Sequence, residues 1–195
     1  MGLAQKSIAY IEPDEYLTLE NASKEKHEYL DGVIYAWQGN AIQSMAGAPA
    51  EHNQVCINVI VALRALVKGR ECQVYASDMR VCPYAQSAYF YPDVMVRCGP
   101  KLPGDAMEVS DAALVVEVLS ATTEGFDRQD KFERYRRMTS LQSYVLISPG
   151  RRTIEVFRGD QNWLAPAADR CHGDEQFELG MHGWSLLASE VFEGV

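Results

Sequence analysis

The six residues Leu114-Val115-Val116-Glu117-Val118-Leu119 constrain this chain more than any other stretch. An unbroken run of aliphatic, mostly β-branched residues reads as a strand buried on both faces. A single carboxylate sits inside it. Desolvating an unpaired carboxylate costs several kcal/mol, so Glu117 requires a cation, a hydrogen-bond donor or a proton. An earlier run, Tyr91-Pro92-Asp93-Val94-Met95-Val96, carries one acid of its own, Asp93. A metal ion shared by Asp93 and Glu117 would meet the need, and Lys131 follows one or two helical turns beyond the second run. The rest of the chain reads as the frame that brings these three together.

That frame is legible as alternating elements. Residues 1 to 10 read as a loose or edge-paired arm. Pro13-Asp14-Glu15 is an acidic, proline-led helix start. Asp31-Gly32 between two β-prone runs is the strongest short-range hairpin signal in the chain. Residues 39 to 50, rich in Gly, Ala and Ser, read as a loop ending at Pro49. From Glu51 to Val67, Val55, Val59, Ala62, Leu63 and Leu66 recur at helical spacing. Short strands are expected at Cys72–Tyr75, Met79–Cys82 and Tyr89–Val96, with Pro92 marking an edge or a strand mouth. A strand over 113–119 precedes N-cap residue types at Ser120–Thr123 and a helix from about Thr123 to Met138. Ser143–Ser148 and Thr153–Phe157 make a hairpin around Pro149-Gly150, and an amphipathic segment from Trp184 to Phe192 closes the core. No repeat, low-complexity tract or linker divides the 195 residues, so one α/β domain over 1–195 is expected.

Composition excludes several classes of function. A formal net charge of −9 argues against a protein that coats nucleic acid non-specifically, although a local basic groove remains compatible with it. The five cysteines are odd in number, dispersed and never spaced C-x-x-C, which points away from zinc ligation or a disulfide framework and towards reduced thiols. The N-terminus lacks the basic start and apolar run of a signal peptide. No apolar stretch approaches the ~20 residues of a membrane helix. A soluble, cytoplasmic protein is expected.

Each candidate residue also has a plainer reading. Asp93 after Pro92 suits a turn, Glu117 an edge strand facing water, and Lys131 an i,i+4 pair with Asp127 worth only about 0.2–0.5 kcal/mol. Jointly, a site explains the three better. Two carboxylates at neighbouring strand ends can hold one hard divalent cation, typically Mg²⁺, and a nearby lysine can orient water or offset transition-state charge. Glu28 is either a further acid or an exposed partner of Lys24 or Lys26. His52, in the first turn of a helix, suits a capping or core role better than a phosphate contact, and Asp78 suits a turn. Arg128, Arg134, Arg136 and Arg137 flank Lys131 on one helix and could bind phosphates, or simply form a solvated face.

Pro92-Asp93, Glu117-Val118-Leu119-Ser120 and Asp127-x-x-x-Lys131-x-x-x-Tyr135, with Glu28-Tyr29-Leu30-Asp31-Gly32, His52 and Tyr144-Val145-Leu146-Ile147, together resemble the Uma-type family of restriction-endonuclease-like proteins. That family is assigned to the PD-(D/E)XK nuclease superfamily, and the resemblance spans roughly residues 10 to 160. It implies a mixed central sheet flanked by helices, metal ligation by Asp93 and Glu117, and a Mg²⁺- or Mn²⁺-dependent endonuclease acting on DNA more readily than RNA. Leu119 stands where the motif has its lysine. Lys131 on the following helix matches the migrated-lysine variants, since a long ammonium can reach one point from two scaffold positions. The alternative is a catalytically silent member kept as a binding or assembly module. A homodimer would suit duplex cleavage, because one such site cuts one strand.

Overall fold

In the computed structural model, which describes residues 10–35, 37–38, 41–42, 48–84, 86–166 and 169–195, the chain opens with α1 (Pro13–Ala22), β1 (Glu28–Leu30), β2 (Val33–Tyr35), β3 (Trp37–Gln38) and β4 (Ala41–Ile42). Then come α2 (Ala50–Leu66), β5 (Cys72–Ala76), β6 (Arg80–Val81), β7 (Ala88–Tyr89), β8 (Val94–Cys98), β9 (Glu108–Val109) and β10 (Ala112–Val118). A helical stretch follows in three pieces: α3 (Glu124–Phe126), a π-helical turn (Asp127–Lys131) and α4 (Phe132–Tyr135). The chain ends with β11 (Ser143–Ser148), β12 (Thr153–Arg158), a 3-10 turn (Gly159–Gln161), β13 (Gln176–Glu178), β14 (Ser185–Leu187) and α5 (Ala188–Val191).

The central sheet has the order β12-β11-β10-β8-β5. Its β10–β11 pair is parallel and the others antiparallel, so the sheet is mixed, as expected. β10 is central and buried along its whole length, which is why it reads as a continuous apolar run instead of an alternating one. On one face, Leu114, Val116 and Val118 join Val94 and Val96 against Val55, Val59 and Leu63 of α2. Each of those buried aliphatic side chains contributes roughly 1.5–3 kcal/mol. On the other face, Met95, Val115 and Tyr144 pack with Phe126, Tyr135 and Met138 from the helical stretch after β10. Helices thus cover both faces, and β10 carries its acid to the end of the sheet between them.

A second sheet, β2-β1-β7, docks beside the first. The Asp31-Gly32 turn joins β1 to β2 as expected, with both residues at positive φ (46° and 87°). That is the geometry whose twist matches the flanking strands. α1 begins with Pro13 and two acids in its first turn, and its buried Tyr16 stacks on Tyr29 and Tyr89.

Several expectations need correction. The single strand expected over Tyr89–Val96 is broken. β7 pairs with β1, Phe90 bridges to Val81, and the central-sheet strand starts only at Val94. Pro92 has no N–H to give a ladder, so the chain turns at Tyr91–Asp93 and leaves Asp93 at a corner. Within the loop expected over 39–50, Ala41–Ile42 instead forms β4, paired with β3; positions 39, 40 and 43–47 of that loop, and 1–9 of the N-terminal arm, lie outside the described residues. The thiols are not all reduced. Cys72 and Cys98 face each other across the antiparallel β5–β8 pair and form a disulfide. Sequence spacing misses this because strand register, and not proximity in the chain, brings the two sulfurs together. The closing segment is a short strand followed by one helical turn, with Trp184 and Phe192 buried. No helix among the described residues is long and apolar enough to cross a membrane.

Candidate active site

The register of the central sheet sets the site. Val94 lies opposite Val116 in the antiparallel β8–β10 pair, so Asp93, one residue before β8, stands beside Glu117. Backbone donors hold both acids: Val118 N–H donates to Asp93 Oδ2 (2.7 Å) and Asp93 N–H to Glu117 Oε2 (3.4 Å). The Glu117 side chain is buried and points to the face covered by the π-helical turn.

That turn supplies the counter-charge. Lys131 Nζ lies 3.2 Å from Glu117 Oε1, 2.9 Å from Glu28 Oε1 and 3.1 Å from Asp127 Oδ1. All four side chains are at least nine-tenths buried. Tyr135, one turn on, donates its hydroxyl to Glu117 Oε1 (3.3 Å), and Tyr144 donates to the Asp127 carbonyl (2.8 Å). Phe132 packs away from the site on Tyr144 and Phe157. π-helical turns are rare and often mark functional sites; here the Tyr144 bond gives one of the turn's carbonyls a partner.

Glu28 reaches the cluster because the hairpin places β1 against β7. Its Oε1 also accepts the Tyr91 N–H at 3.2 Å. It is therefore a buried member of the site, and the exposed pairing with Lys24 or Lys26 does not occur. Lys26 instead pairs with the exposed Asp78 at 2.7 Å. His52, in the first turn of α2, places Nε2 3.4 Å from Asp93 Oδ2. Glu28, His52, Asp93, Glu117, Asp127 and Lys131 line a cavity of about 470 Å³ together with Asn53, Tyr91 and the Ser120–Thr123 segment. Arg128 and Arg134 point elsewhere. Arg128 makes a bidentate pair with Glu155 (2.6 and 2.8 Å) and a bond to Glu124 (2.7 Å), while Arg134 pairs with Asp31.

Electrostatics follows from the count: carboxylates outnumber the ammonium four to one. Burial raises Glu117 well above the ordinary carboxylate range, and Asp127, Asp93 and Glu28 add to this, with Lys131 opposing. For Lys131, burial disfavours the charge, but Asp127, Glu117 and Glu28 outweigh it and hold the ammonium charged, above its usual range. The two directions are compatible. One lysine shared by three acids favours its own charged form, while burial and the neighbouring carboxylates push Glu117 towards its acid form. His52 is likewise raised, because its hydrogen bond and charge contact with Asp93 exceed the cost of burial.

The donor set fits a hard divalent cation. Asp93 and Glu117 offer oxygens at the cavity, the cluster carries surplus negative charge, and Asp127 Oδ1 is buried with an off-line ion pair but no hydrogen bond among the described residues. Sequence reasoning undervalued Asp127, reading it as a surface partner of Lys131 although it is buried. The i,i+4 spacing to Lys131 was the available signal. Cys56, one turn after His52, also escaped notice.

The mixed sheet with acids at its strand ends defines a restriction-endonuclease-like α/β protein. Residues 13–189 match the family described as "Uma2: Putative restriction endonuclease", and the chain belongs to that family. It is 32% identical to an uncharacterized protein of Synechocystis sp. over 190 residues, covering 95% of this chain and 93% of that one. It is 36% identical to a second uncharacterized protein of the same organism over 154 residues, covering 77% and 82%. Its fold is similar to the crystal structure of a putative nuclease belonging to DUF820 from Anabaena variabilis, with a TM-score of 0.73, 17% identity, and coverage of 93% of this chain and 97% of that one.

Proposed function

We propose that this protein is a Mg²⁺- or Mn²⁺-dependent phosphodiesterase acting on nucleic acid, with DNA the substrate class the family description favours. The observation that carries the reading is the placement of Lys131. Leu119 occupies the motif's lysine position, yet a lysine from the π-helical turn reaches within 3.2 Å of Glu117 Oε1. Asp93 and Glu117 would hold the ion, which when bound polarises a phosphoryl oxygen and lowers the pKa of coordinated water. Lys131 stands where it can orient the attacking water and offset charge developing on the phosphate. Tyr135 and Glu28 fix the direction of Glu117 and Lys131, and His52 fixes that of Asp93. Without a cation the acidic cavity repels a phosphodiester, and a divalent ion reverses the local potential.

Leu119 and the net charge of −9 favour a second reading, in which the cluster is a structural network inside a binding or assembly module. A cleavage screen over single-stranded DNA, duplex DNA and RNA, with Mg²⁺ and with Mn²⁺, separates the two. Cleavage by the native protein that disappears in Asp93→Asn supports the nuclease. No cleavage of any substrate, or equal cleavage by Asp93→Asn, leaves the module as the better account. Sedimentation of the active species would show whether two sites combine to cut a duplex.

A further inference from the structure

Behind His52 and Asp93, helix α2 carries a cysteine, Cys56, that the nuclease reading does not use. His52 and Cys56 lie one turn apart on α2, and Cys56 Sγ is 3.5 Å from His52 Nδ1. On the other side of the ring, Nε2 is 3.4 Å from Asp93 Oδ2. One ligand atom from each of the three residues falls within 4.8 Å of the others. An imidazole nitrogen, a sulfur and a carboxylate oxygen form a borderline-soft donor set, unlike the all-oxygen set of Asp93 and Glu117.

We infer that His52, Cys56 and Asp93 form a second metal position selective for a zinc-class ion, sharing Asp93 with the hard-cation site. Zinc takes nitrogen, sulfur and oxygen at about 2.0–2.3 Å in tetrahedral geometry, which places ligand atoms roughly 3.3–3.6 Å apart. The sulfur–Nδ1 and Nε2–carboxylate separations already fall in that range. A single ion uses only one ring nitrogen, so the imidazole must turn, and the thiol and carboxylate must close by about an ångström. Three protein ligands leave the fourth position open towards the cavity, as at exchangeable and catalytic zinc sites. Loading converts the Cys56 thiol to a metal thiolate and releases its proton to solvent. The i,i+4 spacing puts two ligands on one face of α2, and the Val118 N–H anchors the Asp93 carboxylate beside them.

Sharing Asp93 has a functional consequence, which rests on the nuclease reading. A zinc-class ion at this position removes a carboxylate from the Mg²⁺ site, so Zn²⁺ should inhibit Mg²⁺-dependent cleavage. The same Zn²⁺ should inhibit Cys56→Ser at least tenfold less.

Cobalt titration tests the site independently of activity. Native protein titrated with Co²⁺ should develop a thiolate-to-cobalt charge-transfer band that saturates at one equivalent and is discharged by Zn²⁺. The band should vanish in Cys56→Ser, Cys56→Ala and His52→Gln. It should persist in Cys82→Ser and Cys171→Ser, whose thiols are buried outside the cluster. Absence of the band in the native protein, or its survival in both folded Cys56 variants, overturns the proposal. A band that appears as expected in a protein with no cleavage activity upholds the metal site while removing the nuclease reading.

Discussion

Lys131 Nζ and Glu117 Oε1 are 3.2 Å apart although 14 residues separate them in the chain. The contact depends on the π-helical turn, which buries Asp127 and Lys131 together and aims both at the end of β10. The lysine is therefore held by three acids inside the protein. A surface pair with Asp127, worth under about 1 kcal/mol, does not describe it.

Removing that ammonium should cost far more than a surface pair. Lys131→Met leaves Glu28, Glu117 and Asp127 without their shared counter-charge. Breaking such buried pairs typically costs about 3–5 kcal/mol. Urea denaturation should show a loss of that order, partly recovered in Lys131→Met combined with Glu28→Gln. A loss below about 1 kcal/mol would mean that the cluster is open to water.

The pH dependence carries the signature of Glu117. Its folded-state pKa is raised above the ordinary carboxylate value, so the folded protein binds a proton that the unfolded chain has released. Its contribution is fully present below the unfolded pKa of about 4.3 and is lost as pH rises through the folded value. In chelator-treated protein, stability relative to Glu117→Gln should fall with rising pH over that window. A difference that is flat or rises with pH would show that Glu117 is not held in its acid form.

Divalent ions should reverse that loss. Binding to the folded state alone adds about 2.7 kcal/mol at a ligand concentration 100 times Kd. Mg²⁺ or Mn²⁺ should raise the melting temperature of the native protein, most strongly at higher pH, and should have little effect on Asp93→Asn or Glu117→Gln. Equal shifts in all three proteins would place the ion elsewhere.

The hairpin that delivers Glu28 should be sensitive at Gly32. Its φ of 87° disfavours any side chain, and an added Cβ would fall 2.1 Å from the Tyr10 ring. The exposed Tyr10 ring can move aside, which leaves the backbone strain of roughly 1–2 kcal/mol. Gly32→Ala should lower the melting temperature by roughly 2–8 °C and reduce cleavage by loosening Glu28. An unchanged melting curve would remove the turn from the account of the site.

Much of this arrangement was legible because it is written locally. Asp31-Gly32 fixes its own turn, and the run around Glu117 declares a buried strand with an unmet charge. Lys131 was placed by that unmet charge together with a family resemblance. What escaped depends on contacts distant in sequence. Glu28 is buried only because β1 pairs with β7, and Cys72 meets Cys98 only through the register of β5 and β8. The π-helical turn leaves the i,i+4 spacing of Asp127 and Lys131 unchanged, so sequence periodicity cannot distinguish it from an ordinary helix. The break at Tyr91–Asp93 was signalled by Pro92, but Phe90 bridging to Val81 was not.

Where a hard cation binds separates a metal-dependent site from a purely structural network. A crystal structure of the Mn²⁺-loaded protein, with the ion located by its anomalous scattering, should show it bonded to carboxylate oxygens of both Asp93 and Glu117 at about 2.0–2.6 Å, with the Lys131 ammonium still against Glu117. An ion bound at neither acid, or Mn²⁺ held by one acid while Lys131 points to solvent, would contradict it.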